Sequence, residues 1–210
     1  MKDLLKKMNE AFRKNKLYYL FILLFFCVGV VLGVYTVKYM DEGDKTNLSN
    51  YFTSYINSLL ESNTNYGSLF FNVLKKNLLL IVPIFLMSFL FFGAPIVLII
   101  DLIKGFSVGY TFAFLITTYS NSGFMIAFIS IIPQNLIYIP AFIILSIISL
   151  SFSIEHFKSR FSKKAWNFKF NVKNNIIIIV LLFILFGIGS IVETYVSPNL
   201  IRFVVTKFYK

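Results

Sequence analysis

Long apolar stretches, separated by short polar segments, dominate the pattern of the chain. They cover residues 17–37, 78–119, 124–153 and 176–192. A helix that crosses the hydrocarbon layer of a bilayer needs about 20 consecutive apolar residues. The stretch 78–119 is long enough for two crossings and each of the others for one. The pattern therefore predicts an all-α integral membrane protein with about five transmembrane helices.

The segments outside these stretches carry helical patterns of their own. Residues 1–16 are basic with apolar positions on one helical face, which predicts a cytoplasmic amphipathic helix. Within the segment 38–76, apolar residues recur at the spacing of an amphipathic helix about four turns long. These positions are Leu48, Tyr51, Phe52, Tyr55, Ile56, Leu59 and Leu60. Residues 154–175 are predicted to form a basic loop, and 193–210 a tail.

The stretch 78–119 can be divided in two ways. Either Leu78–Ile100 is the second span and Gly105–Tyr119 a short third, or the second span ends near Phe92 and the third runs from Pro95. In the second division Asp101 and Lys104 form an i, i+3 pair inside a span. We expect instead that they form a short cytoplasmic turn, or a neutralising pair at the membrane interface.

The fourth stretch, 124–153, is too long for a straight crossing. Pro133 and Pro140 are predicted to bend it, because each proline removes a hydrogen bond within the helix. Gln134 and Asn135 then have two open interpretations. They refill freed backbone groups near the bend, or they line a polar cavity or contact a partner helix.

Small residues at a spacing of four occur in two spans. Gly29 and Gly33 form one such step and Gly105 and Gly109 another. Each step allows a neighbouring helix to approach closely.

Composition and charge agree with a membrane protein and give it an orientation. The chain is 58% apolar and 14% charged, with a net charge of +11, which excludes an ordinary soluble domain. An N-terminus inside and five crossings place 13 Lys and Arg on the cytoplasmic side and 7 outside. The helix in 38–76 and the tail are then extracytoplasmic. For the basic aromatic loop we expect docking to membrane lipid, and no nucleic-acid partner.

Candidate catalytic residues are few. One Cys and one His exclude an internal disulfide and a Cys/His metal cage. The outward acids Asp41 or Glu61 with Glu193 have no spacing that predicts convergence, and none of the common hydrolase or P-loop motifs is present. We therefore expect no enzyme activity and no cofactor.

Short motifs are spread along the whole chain. They are Gly29 with Gly33, Lys76-Asn77 before the second span, Lys104-Gly105-Phe106 through Gly109, Pro133-Gln134-Asn135 with Pro140, and Ile191-Val192-Glu193 followed by Pro198. With these motifs the chain resembles the stage II sporulation protein M (SpoIIM) family.

The resemblance implies a non-enzymatic membrane protein of endospore formation, on the mother-cell side of the sporulation septum. It also implies two partners, the peptidoglycan-cleaving proteins SpoIID and SpoIIP, which the chain would anchor during engulfment. We expect the outward helix to offer them an apolar face with Tyr51, Phe52, Tyr55 and Ile56. The alternative is a small permease or channel subunit in which Gln134 and Asn135 line a path.

Overall fold

The computed structural model describes residues 16–60, 65–118, 120–161 and 168–208; within them, the side chains of 58–60, 120–122, 160–161, 168–175 and 204–208 are not described. The elements along these residues are α1 (Lys16–Lys38), α2 (Glu42–Leu60), α3 (Tyr66–Met87), α4 (Gly93–Thr118), α5 (Ser120–Phe161), α6 (Phe168–Ile191), a π-helical segment (Val192–Val196) and α7 (Ser197–Phe208). The predicted helix in residues 1–16 lies outside the described residues, apart from Lys16.

Five helices of the described chain are long and apolar enough to cross a membrane, which confirms the predicted fold class. The spanning segments are Lys16–Lys38, Tyr66–Met87, Gly93–Thr118, Gly123–Ser159 and Ile176–Phe203. Because α2 connects α1 to α3, and α7 ends the fifth spanning segment and packs against α2, α2 and α7 lie at the same end of the bundle. We call this the α2 end.

The region 78–119 follows the second of the two possible divisions. α3 ends at Met87, and α4 begins at Gly93 and continues unbroken past Asp101 and Lys104. The expectation of a turn at these two residues is therefore wrong. Lys104 therefore no longer counts toward the cytoplasmic side, and the orientation stays a prediction.

Two other boundaries differ from the sequence prediction. α3 begins at Tyr66 and not near residue 78, because the side chain of Asn65 accepts a hydrogen bond from the backbone N–H of Ser68 at 3.2 Å and caps the helix. The predicted loop 154–175 is shorter, since α5 continues to Phe161 and α6 starts at Phe168. Residues 162–167 of that loop lie outside the described residues.

The backbones of α1 and α4 meet through the two pairs of glycines. A Cβ atom at Gly29 would lie 2.9 Å from the backbone nitrogen of Phe106, and one at Gly33 would lie 2.6 Å from that of Tyr110. On the other helix, a Cβ atom at Gly109 would lie 2.9 Å from the carbonyl carbon of Val30. Real side-chain atoms cannot approach so closely, so this contact requires glycine on both helices.

α5 is the central helix of the bundle. In its most apolar 18-residue segment half of the residues are buried, against 17–28% in the corresponding segments of the other four spans. It supplies much of the main core, where it meets α3, α4 and α6. The buried residues of this core are Ile81, Ile84, Val97, Ile100, Tyr138, Ala141, Phe142, Leu145, Leu182 and Phe186. α5 is continuous through Pro133 and Pro140, and the bend at these prolines stays a prediction.

The glycine contact between α1 and α4 gives the first testable prediction. Gly29→Ala places a Cβ atom against the backbone of α4 and should destabilise the protein by about 1–3 kcal/mol. Gly187→Ala is the matched control, because a Cβ atom there meets nothing within 4 Å. Thermal unfolding in detergent measures both. Equal stability of the two variants would contradict the contact.

Candidate functional site: a polar cluster between the spanning helices

Polar side chains from four helices and the π-helical segment meet inside the bundle. They are Asn77 of α3, Lys104 of α4, Tyr138 of α5, Ser190 of α6 and Glu193 of the π-helical segment. We call this set the polar cluster. Polar and ionisable groups inside a membrane are costly and often mark functional sites.

Hydrogen bonds join four members of the polar cluster. The Nδ2 atom of Asn77 donates to the hydroxyl oxygen of Tyr138 at 2.7 Å and lies 3.4 Å from Oε2 of Glu193. The Tyr138 hydroxyl donates to Oγ of Ser190 at 3.2 Å, and Ser190 donates to the carbonyl oxygen of Phe186 at 2.9 Å. Asn77 therefore connects α3 to both α5 and the π-helical segment.

Lys104 joins the polar cluster by its contact with the aromatic ring of Tyr138. Its Nζ atom lies 5.4 Å from the centroid of the Tyr138 ring, within the range of a cation–π interaction. The carboxylate of Glu193 also interacts electrostatically with this ammonium group. A narrow space beside Lys104 is lined by Asn77, Leu80, Ile81, Lys104, Tyr138, Phe142 and Phe186.

Local backbone features position Tyr138 and Glu193. A Cβ atom at Gly189 would lie 2.8 Å from Cδ1 of Tyr138, so glycine leaves room for the Tyr138 ring against α6. Glu193 lies in the π-helical segment Val192–Val196. Such segments are rare and often occur at functional sites.

At the α2 end, α2 packs against the C-terminal helix of its own chain. Ile56 is 7% exposed and forms a small core with Ile201 of α7, joined by Phe52 and Tyr55. Burial raises the pKa of Tyr55 above its usual value, and the nearby carboxylate of Glu193 raises it further. We call α2 and α7 together the outer layer.

This packing corrects the expectation that the whole apolar face of α2 is available to a partner. Ile56 is covered by Ile201, and Phe52 also packs against the buried residues around Phe114. The apolar face instead stabilises the protein's own structure. Tyr51 differs, since it is 80% exposed.

The predicted proline-amide motif also holds the outer layer. Oε1 of Gln134 accepts a hydrogen bond from the hydroxyl of Ser197 at 2.7 Å, next to the buried Pro198, and its Nε2 donates to the carbonyl oxygen of Ser130. Asn135 donates to the carbonyl oxygen of Ile131 at 2.8 Å. Gln134 thus bonds both to its own helix and to a neighbouring one.

Asp101 forms a second buried polar contact, separate from Lys104. It is 1% exposed, and its Oδ1 accepts a hydrogen bond from the hydroxyl of Ser146 at 2.7 Å. Its Oδ2 is buried without a hydrogen-bond partner. The expected pairing of Asp101 with Lys104 is therefore not formed, because Asp101 meets α5 and Lys104 lies over Tyr138.

The sequence pattern singles out Asp101, Lys104 and Glu193 but not three polar side chains that bond or accompany them. Tyr138, Ser146 and Ser190 each have apolar residues or glycine on both sides in the sequence. The signal that points to them is the cost of an unpaired polar group at that depth, which applies to hydroxyl groups as well as to charges.

The described residues place no group of three or more His, Cys, Asp or Glu where a metal ion could bind. Nδ1 of His156 lies 3.0 Å from the carbonyl oxygen of Phe89, in the turn between α3 and α4. This turn is at the opposite end of the bundle from α2. The candidate acid Glu61 lies outside the described residues.

The fold and the polar cluster define a helical multi-pass membrane protein with half-buried ionisable groups between its spans. The chain belongs to the stage II sporulation protein M (SpoIIM) family, whose family model matches residues 22–198. The match begins in α1 and ends at Pro198, so it includes the whole polar cluster. No curated protein and no solved structure matches the chain. Membership of this family indicates a sporulation membrane protein, and the family is not a known enzyme family.

The bond between Asp101 and Ser146 gives a prediction for the interior of the site. Ser146→Ala leaves both carboxyl oxygens of Asp101 without a hydrogen bond and should lower stability by about 1 kcal/mol or more. Ser107→Ala, at an exposed position of α4, should change it little. Thermal unfolding in detergent compares the two variants. A Ser146→Ala variant as stable as the parent would show that this hydrogen bond does not stabilise the protein.

Proposed function

We propose that this chain is a non-catalytic membrane scaffold of endospore formation. In this role it anchors the peptidoglycan-degrading proteins SpoIID and SpoIIP at the mother-cell side of the sporulation septum, with its N-terminus in the cytoplasm. The observation that carries the proposal is the family match over residues 22–198, which includes the spanning bundle except for a few residues at its start and its end. A scaffold of this kind needs a stable membrane anchor and an outward surface.

Two features of the structure support a scaffold. The hydrogen-bonded polar side chains in the described part of the bundle bond to one another, as Asn77, Tyr138 and Ser190 do, or to backbone carbonyl groups, and are not arranged as a nucleophile with a base. The outer layer is also fixed to the bundle, through Phe52 with the buried residues around Phe114 and through Ser197 with Gln134. A surface held in this way is preorganised for binding.

Within the outer layer, we assign the contact with the partners to the exposed side of α2 around Tyr51. Tyr51 is the one large hydrophobic side chain that α2 exposes among its described residues. Tyrosine is common among residues that dominate binding energy at interfaces, since it combines a large apolar ring with a hydroxyl group.

Capture of the hydrolases from sporulating cells tests this assignment. Tyr51→Asp should reduce the amounts of SpoIID and SpoIIP that copurify with the chain by about tenfold or more, because it places a charge at the centre of the contact. Asn57→Asp adds the same charge at another exposed position of α2 and should leave capture unchanged. Immunoblots of the membrane fraction check that both variants accumulate normally.

Two results would count against this function. Failure of the parent chain to capture either hydrolase would overturn the scaffold. Normal capture by Tyr51→Asp would show that the partners bind elsewhere, and the assignment of the surface would be wrong.

The alternative, a permease or channel, predicts a path along Gln134 and Asn135. In the structure the amide nitrogens of both residues are bonded to backbone carbonyl groups of their own helix, and Gln134 also accepts from Ser197. These bonds support a structural role for both side chains.

Liposomes containing the purified chain should therefore retain a small fluorescent dye and a potassium gradient as well as empty liposomes do. Release of either that stops in a Gln134→Ala/Asn135→Ala variant would favour the channel. Incorporation of the parent chain and of the variant is measured by flotation, so that retention of dye and potassium cannot result from liposomes that lack the protein.

A further inference from the structure

We propose that Lys104 is the built-in counter-charge of Glu193, and that the contacts from Lys104 through Tyr138 and Asn77 to Glu193 hold α7 in contact with α2, so that the outer layer is closed. The proposal does not depend on the proposed function, since it concerns the state of the chain alone.

The first step is that both charges lie inside spanning segments. Lys104 is in α4 and Glu193 lies within the segment Ile176–Phe203. A lone charge at that depth is costly, so ionisable residues in spans pair with one another or with polar groups. Asp101, the other acid in α4, is engaged by Ser146 of α5. Glu193 is therefore the acid available to Lys104.

The second step is the bridge between the two charges. They do not form a direct ion pair. The ammonium group of Lys104 lies over the ring of Tyr138, whose hydroxyl accepts from Asn77, whose Nδ2 in turn lies 3.4 Å from the Glu193 carboxylate. Lys104 and Glu193 interact electrostatically across this bridge, while Lys76 of α3 repels Lys104. Glu193 compensates a charge that its surroundings otherwise disfavour.

The third step connects Glu193 to the outer layer. Its π-helical segment leads directly into α7, which begins at Ser197 and carries Ile201 against Ile56. Its carboxylate also interacts electrostatically with Tyr55 of α2. A change in the position of Glu193 therefore moves the start of α7, and with it the side of α7 that contacts α2.

Cross-linking between α2 and α7 measures closure of the outer layer. Cysteines replace Ile56 and Ile201 in a Cys27→Ala background, so that they are the two thiols of the chain. A short bis-maleimide applied to membranes joins them when α2 and α7 are in contact. The charge variants are then Lys104→Met, Glu193→Gln and the two combined, with Lys75→Met on the exposed side of α3 as control.

We expect each single variant to lower the cross-linked fraction by about threefold or more, because each removes one charge and leaves the other, half-buried in a spanning segment, without its counter-charge. The combined variant should return most of the way to the parent, since it removes both charges, and Lys75→Met should match the parent. Single variants with the same cross-linked fraction as the parent would overturn the proposal. So would a combined variant that cross-links no better than the singles.

If the single variants do not accumulate in the membrane, a second comparison tests the pairing. The exchanged variant Lys104→Glu/Glu193→Lys restores opposite charges at the two positions. Accumulation and cross-linking above those of Lys104→Glu alone support the pairing, and equal or lower values refute it.

Discussion

The close contact between α1 and α4 is the constraint on which the rest of the bundle depends. Lipid is as apolar as leucine, so helices in a membrane associate through close packing and hydrogen bonds and gain little from burial of apolar surface alone. Gly29 and Gly33 on one helix face Gly105 and Gly109 on the other, and the backbones touch. This contact fixes the register of α4. The register in turn places Asp101 against α5 and Lys104 over the ring of Tyr138.

From that fixed helix, polar contacts run outward to the end of the bundle that carries α2. Tyr138 and Asn77 connect Lys104 to Glu193, and the segment after Glu193 leads into α7, which packs against α2 through Ile201 and Ile56. The interior and the outward surface are thus parts of one structure. This continuity suits a sporulation membrane protein whose proposed work is to hold other proteins in position, because a binding surface on a stable support loses less entropy when a partner binds.

Much of the architecture follows from the sequence, and the remainder depends on contacts between distant residues. Apolar stretches predicted the five spans, and periodicity predicted α2, because both patterns are local. The glycine spacing showed that Gly29 and Gly105 lie in steps that permit close approach, but not that the two steps face each other. The turn expected at Asp101 was wrong because its partner, Ser146, lies on another helix. Likewise, the amphipathic pattern around Ile56 revealed an apolar face and not the residue that covers it, Ile201.

The central claim is that the chain holds other proteins in place without cutting cell wall itself. The most direct measurement incubates proteoliposomes of the purified chain with labelled peptidoglycan, alone and together with the soluble parts of SpoIID and SpoIIP. We predict that the chain alone releases no labelled fragments, and that both hydrolases float with the proteoliposomes and release fragments there. Release of fragments by the chain alone, or hydrolases that stay in the soluble fraction, would contradict the account.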